Sequence, residues 1–333
     1  MSLMRCHLLI PHVLWPSQAE SAEITAGLTL PAFSRLAGRG QRELFTALPT
    51  RDWLGQAFGL GDFPSAPLTL KSAGIDEVAG FWLRADPVHL SVNQRGAELA
   101  DPAALAVTQD EAAQLIAALN QQFADDGLHF LAATPECWLL RVPERPDAAF
   151  APLASVYGRN INEFLPQGRE AVRWHRLINE IQMLLYGHPV NDKRAGQGKP
   201  LVNSLWLWGG GTYPLPAVLQ KPAEVVLGND PLLAALCELA GVQYAAGSNG
   251  LSAMGSKDTL AVLDDLTMPA LWHDALAWRN AWMALEQNWF APALAALRTG
   301  RFSELIITLP EAGVRMKVYR SDLWRIWRRP WLP

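Results

Sequence analysis

The stretch that most constrains this chain is residues 188–211, HPVNDKRAGQGKPLVNSLWLWGGG. His188-Pro189 predicts a helix stop, because a residue ahead of proline is pushed out of the α region. Asn191, Asp192, Lys193 and Arg194 then read as a polar, partly cationic turn, and GQGKP as a flexible loop carrying Lys199. Residues 201–208 are an apolar, strand-like run that ends on three glycines. A strand entering a glycine-rich turn is where α/β chains bring backbone N–H groups close to an anion. The plainer reading is a buried strand with a loose loop. Neither GxGxxG nor a phosphate loop ending in Lys-Ser/Thr is present here, so no nucleotide motif is assigned.

Length and composition narrow the class. The 333 residues suggest about two domains. Half are hydrophobic and 18% charged, enough for a large core. A net charge of −4 gives no general attraction to nucleic acid. The start, MSLMRCHLLIPHVLWPS, lacks the apolar run and small-residue site of a signal peptide, and no apolar run reaches the ~20 residues of a membrane span. Cys6, Cys137 and Cys237 are few, distant and in apolar contexts, which favours reduced thiols in a cytoplasm. Fourteen tryptophans point to extensive buried aromatic surface.

Along the chain, residues 6–14 predict a buried strand. Leu30-Pro31 opens a helix that closes at Gly38 or Gly40, and 52–63 predict another. Residues 63–74, FPSAPLTLKSAG, read as loop. Residues 81–92 predict a strand interrupted at Asp86-Pro87, with Arg84, Asp86 and His89 either an ion pair plus a packed histidine or a polar cluster facing a cleft. Thr108 with Glu111 has capping-box spacing ahead of a helix to Phe123. Two strands follow at 128–132 and 137–142, then a long helix at 168–186. Asp230 caps a helix that ends at Gly241, and 274–297 predict a third long helix. A hairpin turns at Ala312-Gly313, and the basic, aromatic end SDLWRIWRRPWLP is either a tail on the body or a protein-partner segment.

Three of these segments together resemble archaeal-type cofactor-independent phosphoglycerate mutases of the alkaline phosphatase superfamily: residues 188–211, WLRADPVHL with the helix after it, and LTLPAFSRLAGRG. PLLAALCELAGVQY is a weaker fourth. The whole chain also resembles a bacterial group of RpfE-type regulatory proteins. The resemblance implies an α/β, alkaline-phosphatase-like core sheet flanked by helices at 1–80 and 201–333, with an inserted α+β cap at 81–200. It also implies phosphoryl transfer through a serine or threonine held by two divalent metals, which need several Asp and His ligands. Here the chain departs from the pattern. The first strand, which ends in Asp-Gly in the family, reads Ile10-Pro11-His12-Val13. Asp264, Asp265, His273 and Asp274 do not reproduce the later ligand spacing, and Ser65 is a weak counterpart of the nucleophile. What matches is the ligand-holding half.

The expectation is therefore a protein that has lost its two-metal site and binds a small phosphorylated or carboxylated metabolite without turning it over, in a regulatory role. Arg84, Asp86, His89, His188, Asn191, Arg194, Lys199 and Asn203 are the candidate ligand residues, with Arg194 and Lys199 converging on one anion. No metal cofactor, nucleic acid or membrane is expected. Two alternatives stay open: an active manganese- or magnesium-dependent mutase or phosphatase with rearranged ligands, and an interaction module using the Trp/Arg-rich C-terminus.

Overall fold

In β1 (Met4–Leu9) the alternation of a strand sends Cys6 and Leu8 to one face and His7 to the other. Both faces are covered by helices, so the strand is buried from two sides. The computed structural model describes residues 4–76, 79–93, 96–100, 102–247, 250–325 and 328. The chain forms two compact units, Met1–Asp62 with Ala217–Pro333, and Phe63–Pro216.

The first unit is built on a seven-stranded sheet. After β1 come α1 (Gln18–Thr25), α2 (Pro31–Arg39), β2 (Gln41–Leu44) and α3 (Thr50–Ala57). The chain returns with β9 (Val225–Gly228), α9 (Pro231–Ala240), β10 (Gln243–Ala246), β11 (Thr259–Val262), α10 (Thr267–Leu271), α11 (Ala275–Leu285), α12 (Ala291–Thr299), β12 (Phe302–Leu309) and β13 (Val314–Val318). The strand order is β10-β9-β11-β1-β12-β13-β2. β10, β9, β11, β1 and β12 run parallel, and β13 is antiparallel to both neighbours. Phe33, Trp278, Trp282 and Phe290 pack on the Cys6/Leu8 face, while Trp53 of α3 meets His7 edge-on at 5.3 Å on the other. The expected third long helix is continuous but passes through one π-helical turn, Glu286–Phe290, between α11 and α12. Glu286 is buried there and accepts from the Ala32 and Phe33 N–H groups at 2.6 and 3.0 Å. It thus caps α2, whose own N-cap residue, Leu30, has no side-chain acceptor.

The second unit holds α4 (Ser65–Ser72), β3 (Gly80–Val88), β4 (Leu90–Asn93), β5 (Gly96–Leu99), α5 (Pro102–Leu105), α6 (Gln109–Gln122), β6 (His129–Thr134), β7 (Cys137–Val142), α7 (Ala171–Tyr186), α8 (Pro189–Gly196) and β8 (Ser204–Tyr213). An antiparallel sheet runs β6-β7-β3-β8, and β4 pairs with β5 separately. Leu83, Leu140 and Leu207 face α6 and α7, while Trp82 and Leu139 face α4. The Thr108–Glu111 capping box forms as its spacing predicts.

The α/β class expected from the sequence holds: a mixed sheet between helices, with a second α+β unit. The boundaries differ from 80/81 and 200/201. β8 pairs along the whole of β3 and α4 packs on both strands, so 63–80 and 201–216 join the second unit. Residues 63–74, expected as loop, contain α4; Pro67 lies in its first turn, where a missing N–H breaks no helical bond. β3 is not interrupted at Asp86-Pro87. β7 pairs with it only as far as Arg84, and beyond that point proline is tolerated on the unpaired side. Among the described residues, no helix is long and apolar enough to cross a membrane. Cys6, Cys137 and Cys237 are unpaired, and burial pushes the Cys137 and Cys237 thiols up to about 12.

Candidate functional site

In an open parallel sheet, ligands sit beyond the carboxyl ends of the strands, where the strand order reverses. Here that place is the end of β1, between β11 and β12. His12 lies there with φ 54°, a left-handed conformation uncommon for a residue with a side chain. Its N–H donates to Glu311 Oε2 at 3.2 Å, and its carbonyl accepts from Trp278 Nε1 at 3.1 Å. Glu311 Oε1 accepts from the Thr50 N–H at 3.1 Å and the Thr50 hydroxyl at 2.7 Å. One carboxylate thereby ties together the end of β1, the exit of β12 and the first turn of α3. Burial lowers the His12 pKa, and the Glu311 charge opposes that shift. His12 Nδ1 is buried without a hydrogen-bond partner.

The other acids near the strand ends are tied to the chain in similar ways. Asp230 accepts from the Leu232 N–H at 2.8 Å, capping α9, and pairs with Arg51 at 3.1 Å. Asp274 caps α11 through the Ala277 N–H at 2.9 Å. Burial holds the Asp264 carboxyl above its usual range, and its hydrogen bond from Asn229 only partly offsets this. Asp265 is exposed. His273 packs edge-on against Trp15 at 5.8 Å. Two divalent ions would need several of these groups to converge. Among the described residues no three His, Cys, Asp or Glu side chains are arranged to hold a metal. Glu311, Asp230 and Asp274 each accept from backbone N–H groups, so part of their acceptor capacity goes to holding loops and helix ends.

In the second unit the structure divides the candidate ligand residues into two groups. The first group is architectural. α7 stops at Tyr186, ahead of the extended His188, as His188-Pro189 predicts, but residues 191–194, expected as a turn, lie in a new helix, α8: His188 Nδ1 accepts from the Val190 N–H at 3.2 Å, and Pro189 takes the first helical position. Burial lowers the His188 pKa, with Asp192 acting against it. Arg194 is fully buried. Nε donates to the Pro200 carbonyl at 2.8 Å, Nη1 to Glu111 Oε2 at 2.7 Å, and Nη2 to the Leu105 carbonyl. Lys199 is exposed. The expected convergence of Arg194 and Lys199 on an anion is therefore wrong. Asn191 donates to the Leu185 and Val202 carbonyls at 2.7 and 2.8 Å and accepts from the Val202 N–H at 2.9 Å. Asn203 brackets both main-chain groups of Leu90.

The glycines of the stretch also differ from expectation. They lie inside β8, not in a turn after it. A Cβ on Gly209, Gly210 or Gly211 would come within 2.7–2.8 Å of Ser65, of Phe81 and Leu83, or of Pro64. They permit close packing of β8 on the start of α4 and on β3 side chains. Ser65 is buried in the same contact, at 1% exposure, where a nucleophile has no access.

The second group does share a space. Arg84, Asp86 and His89 line a cavity of about 160 Å³ together with Glu136 and Tyr157. Arg84 and Asp86 are two apart on a strand and so project on one face. Arg84 Nε and Nη2 donate to Asp86 Oδ1 at 3.0 and 2.7 Å, and Nη1 to Thr69 Oγ1 at 3.2 Å. Trp208 Nε1 donates to Asp86 Oδ2 at 2.7 Å. Burial raises the Asp86 pKa, while Arg84 and Trp208 pull against it. His89 Nδ1 lies 2.9 Å from the Leu201 carbonyl, which fixes its proton there and leaves Nε2 as an acceptor. Among the described residues three of the five Arg84 N–H groups have acceptors. Sequence reasoning missed Glu136, Tyr157 and Trp208. Only Trp208 had a signal, the alternation of LWLW.

No family model matches the chain. It is similar to 2,3-bisphosphoglycerate-independent phosphoglycerate mutases. The Methanosarcina mazei protein is 28% identical over 206 residues, covering 57% of this chain and 50% of that one. The Methanosarcina acetivorans protein is 25% identical over 251 residues, covering 71% and 61%. A probable mutase of Geobacter sulfurreducens is 28% identical over 158 residues, covering 47% and 40%. The chain thus spans about half the length of the curated relatives it matches. Among solved structures, a cofactor-independent phosphoglycerate mutase of Thermoplasma acidophilum aligns over 96% of this chain and 90% of its own, at 15% identity and TM-score 0.42. A protein of Pyrococcus horikoshii aligns over 99% and 91%, at 15% identity and TM-score 0.49.

Proposed function

We propose that this chain is a phosphoglycerate-mutase-like protein that works by binding a small anionic metabolite, in a regulatory role within a reducing cytoplasm, and not by phosphoryl transfer. The observation that carries this reading is Glu311. At the switch point of the sheet, its carboxylate takes three hydrogen bonds from His12 and Thr50. Phosphoryl transfer draws most of its acceleration from an activated nucleophile and from cations at the transferring group, and in this reading the junction serves the fold instead of supplying either. The ligand position in this reading is the Arg84 cavity, where the two guanidinium N–H groups that have no acceptor among the described residues suit a carboxylate or phosphate edge.

The test is ligand-induced thermal stabilisation by 3-phosphoglycerate and small carboxylates. Wild type is expected to show stabilisation that Arg84→Lys reduces about tenfold or more in apparent affinity, because lysine keeps the charge but loses the fork. Stabilisation identical in the two proteins would remove the cavity from the account.

A further inference from the structure

A second cavity in the same unit, about 890 Å³ in volume, runs along the outer side of α7. Its volume falls in the range of small-molecule sites. No Asp, Glu, Lys or Arg is among its described lining residues. That argues against a charged ligand, since an ion leaving water needs an opposite charge or several strong donors. The polar groups present are amides. Asn162 and Asn179 line the space with side chains that have no hydrogen-bond partner among the described residues, while Gln182 uses only its Nε2, on Ser204 Oγ at 3.1 Å. Each free amide offers a donor beside an acceptor, a pair that matches two adjacent hydroxyls. His175 Nε2 donates to the Pro166 carbonyl at 2.8 Å, so Nδ1 is left as another acceptor. At the lip, Tyr186 is 79% exposed and Met183 76%, an aromatic face and a soft apolar surface that a ring of C–H groups can cover.

An extended peptide fits less well. It would use main-chain groups of a strand edge, but at Leu90, the β4 residue that lines the cavity, both main-chain groups are held by Asn203 at 2.7 and 2.9 Å. We infer that this groove is a binding site for a neutral polyhydroxyl ligand, a saccharide of two or three rings, seated with one ring face on Tyr186 and its hydroxyls on Asn179 and Asn162.

The probes are maltose, cellobiose and chitobiose, titrated into the full chain by calorimetry and by ¹⁵N chemical-shift mapping. At least one is expected to bind with shifts centred on 179–186. Tyr186→Ala and Asn179→Ala are each expected to weaken it about tenfold, and the double variant to abolish it at about 10 mM ligand. Both side chains are exposed, so the unliganded melting temperature should stay within about 1 °C of wild type. Failure of all three probes to bind at about 10 mM overturns the assignment. Binding that survives the double variant, or a neutral Gly-Ser peptide binding as tightly as the best saccharide, overturns it equally.

Discussion

Replacing Arg194 with alanine separates an architectural arginine from a ligand-binding one. The guanidinium has no exposed surface and donates to the Pro200 and Leu105 carbonyls and to Glu111. Its removal leaves two carbonyls without their donor, a carboxylate without its counter-charge and a void among α5, α6 and α8. Breaking a buried ion pair from one side costs about 3–5 kcal/mol. Glu111 keeps 17% exposure, which favours the lower half of that range. At roughly 2–4 °C per kcal/mol for a protein of this size, Arg194→Ala should lower the melting temperature by about 6–16 °C. The loss should depend on pH. Burial raises the Glu111 pKa, but the Thr108 N–H and Arg194 outweigh it and the net shift is downward. A carboxylate with a lowered folded pKa contributes fully above its unfolded value and loses that contribution as pH falls through the folded one. The difference between wild type and Arg194→Ala should therefore narrow in acid, below the ordinary glutamate range. Circular-dichroism melts at pH 7 and pH 3.5 measure both effects. A shift under about 2 °C at pH 7 would mean the guanidinium is free of these contacts, and would refute the reasoning.

Glu311→Ala should destabilise the first unit by about 2–4 kcal/mol in denaturant melts, with Glu311→Gln in between because its single acceptor oxygen cannot serve both His12 and Thr50; a neutral alanine variant would contradict the network. His7 is held by burial, and by Arg315 and Arg5, at a pKa of about 3 against 6.5 for a free histidine. The unfolded chain therefore takes up a proton between these values and the folded chain does not. Stability from this group is full above pH 6.5 and declines below it by at most about 1.4 kcal/mol per pH unit. His7→Gln should flatten the acid limb of the stability profile between pH 6 and 4, and an unchanged slope would count against this assignment.

How much was legible in the sequence follows from the range of the interactions. The Thr108–Glu111 box, the Asp230 cap and the Gly313 hairpin are local, and they form where their spacing puts them. Arg84 and Asp86 could be grouped because period two on a strand puts them on one face. Arg194 could not be placed, because its partners at 105 and 111 are remote in sequence, and a charged residue in a glycine-bearing stretch looks solvated until α6 is packed against it. Gly209, Gly210 and Gly211 looked like a turn because nothing nearby announces the start of α4, which needs Gly209 and Gly211 small, or the β3 side chains, which need Gly210 small. Glu311 gave no signal at all. Its partners Thr50 and His12 meet it only once β1 and β12 lie side by side.

The central claim is that the end of β1 is a structural junction and not a two-metal catalytic centre. Mutase turnover tests it most directly. The chain, supplied with manganese and 3-phosphoglycerate, is assayed for 2-phosphoglycerate through a coupled enolase reaction. Glu311→Ala, in which the junction is opened, is assayed in parallel. The account predicts background rates for both proteins across all fractions of a purification. Manganese-dependent turnover that follows the wild-type chain through purification and falls on Ser65→Ala would contradict it.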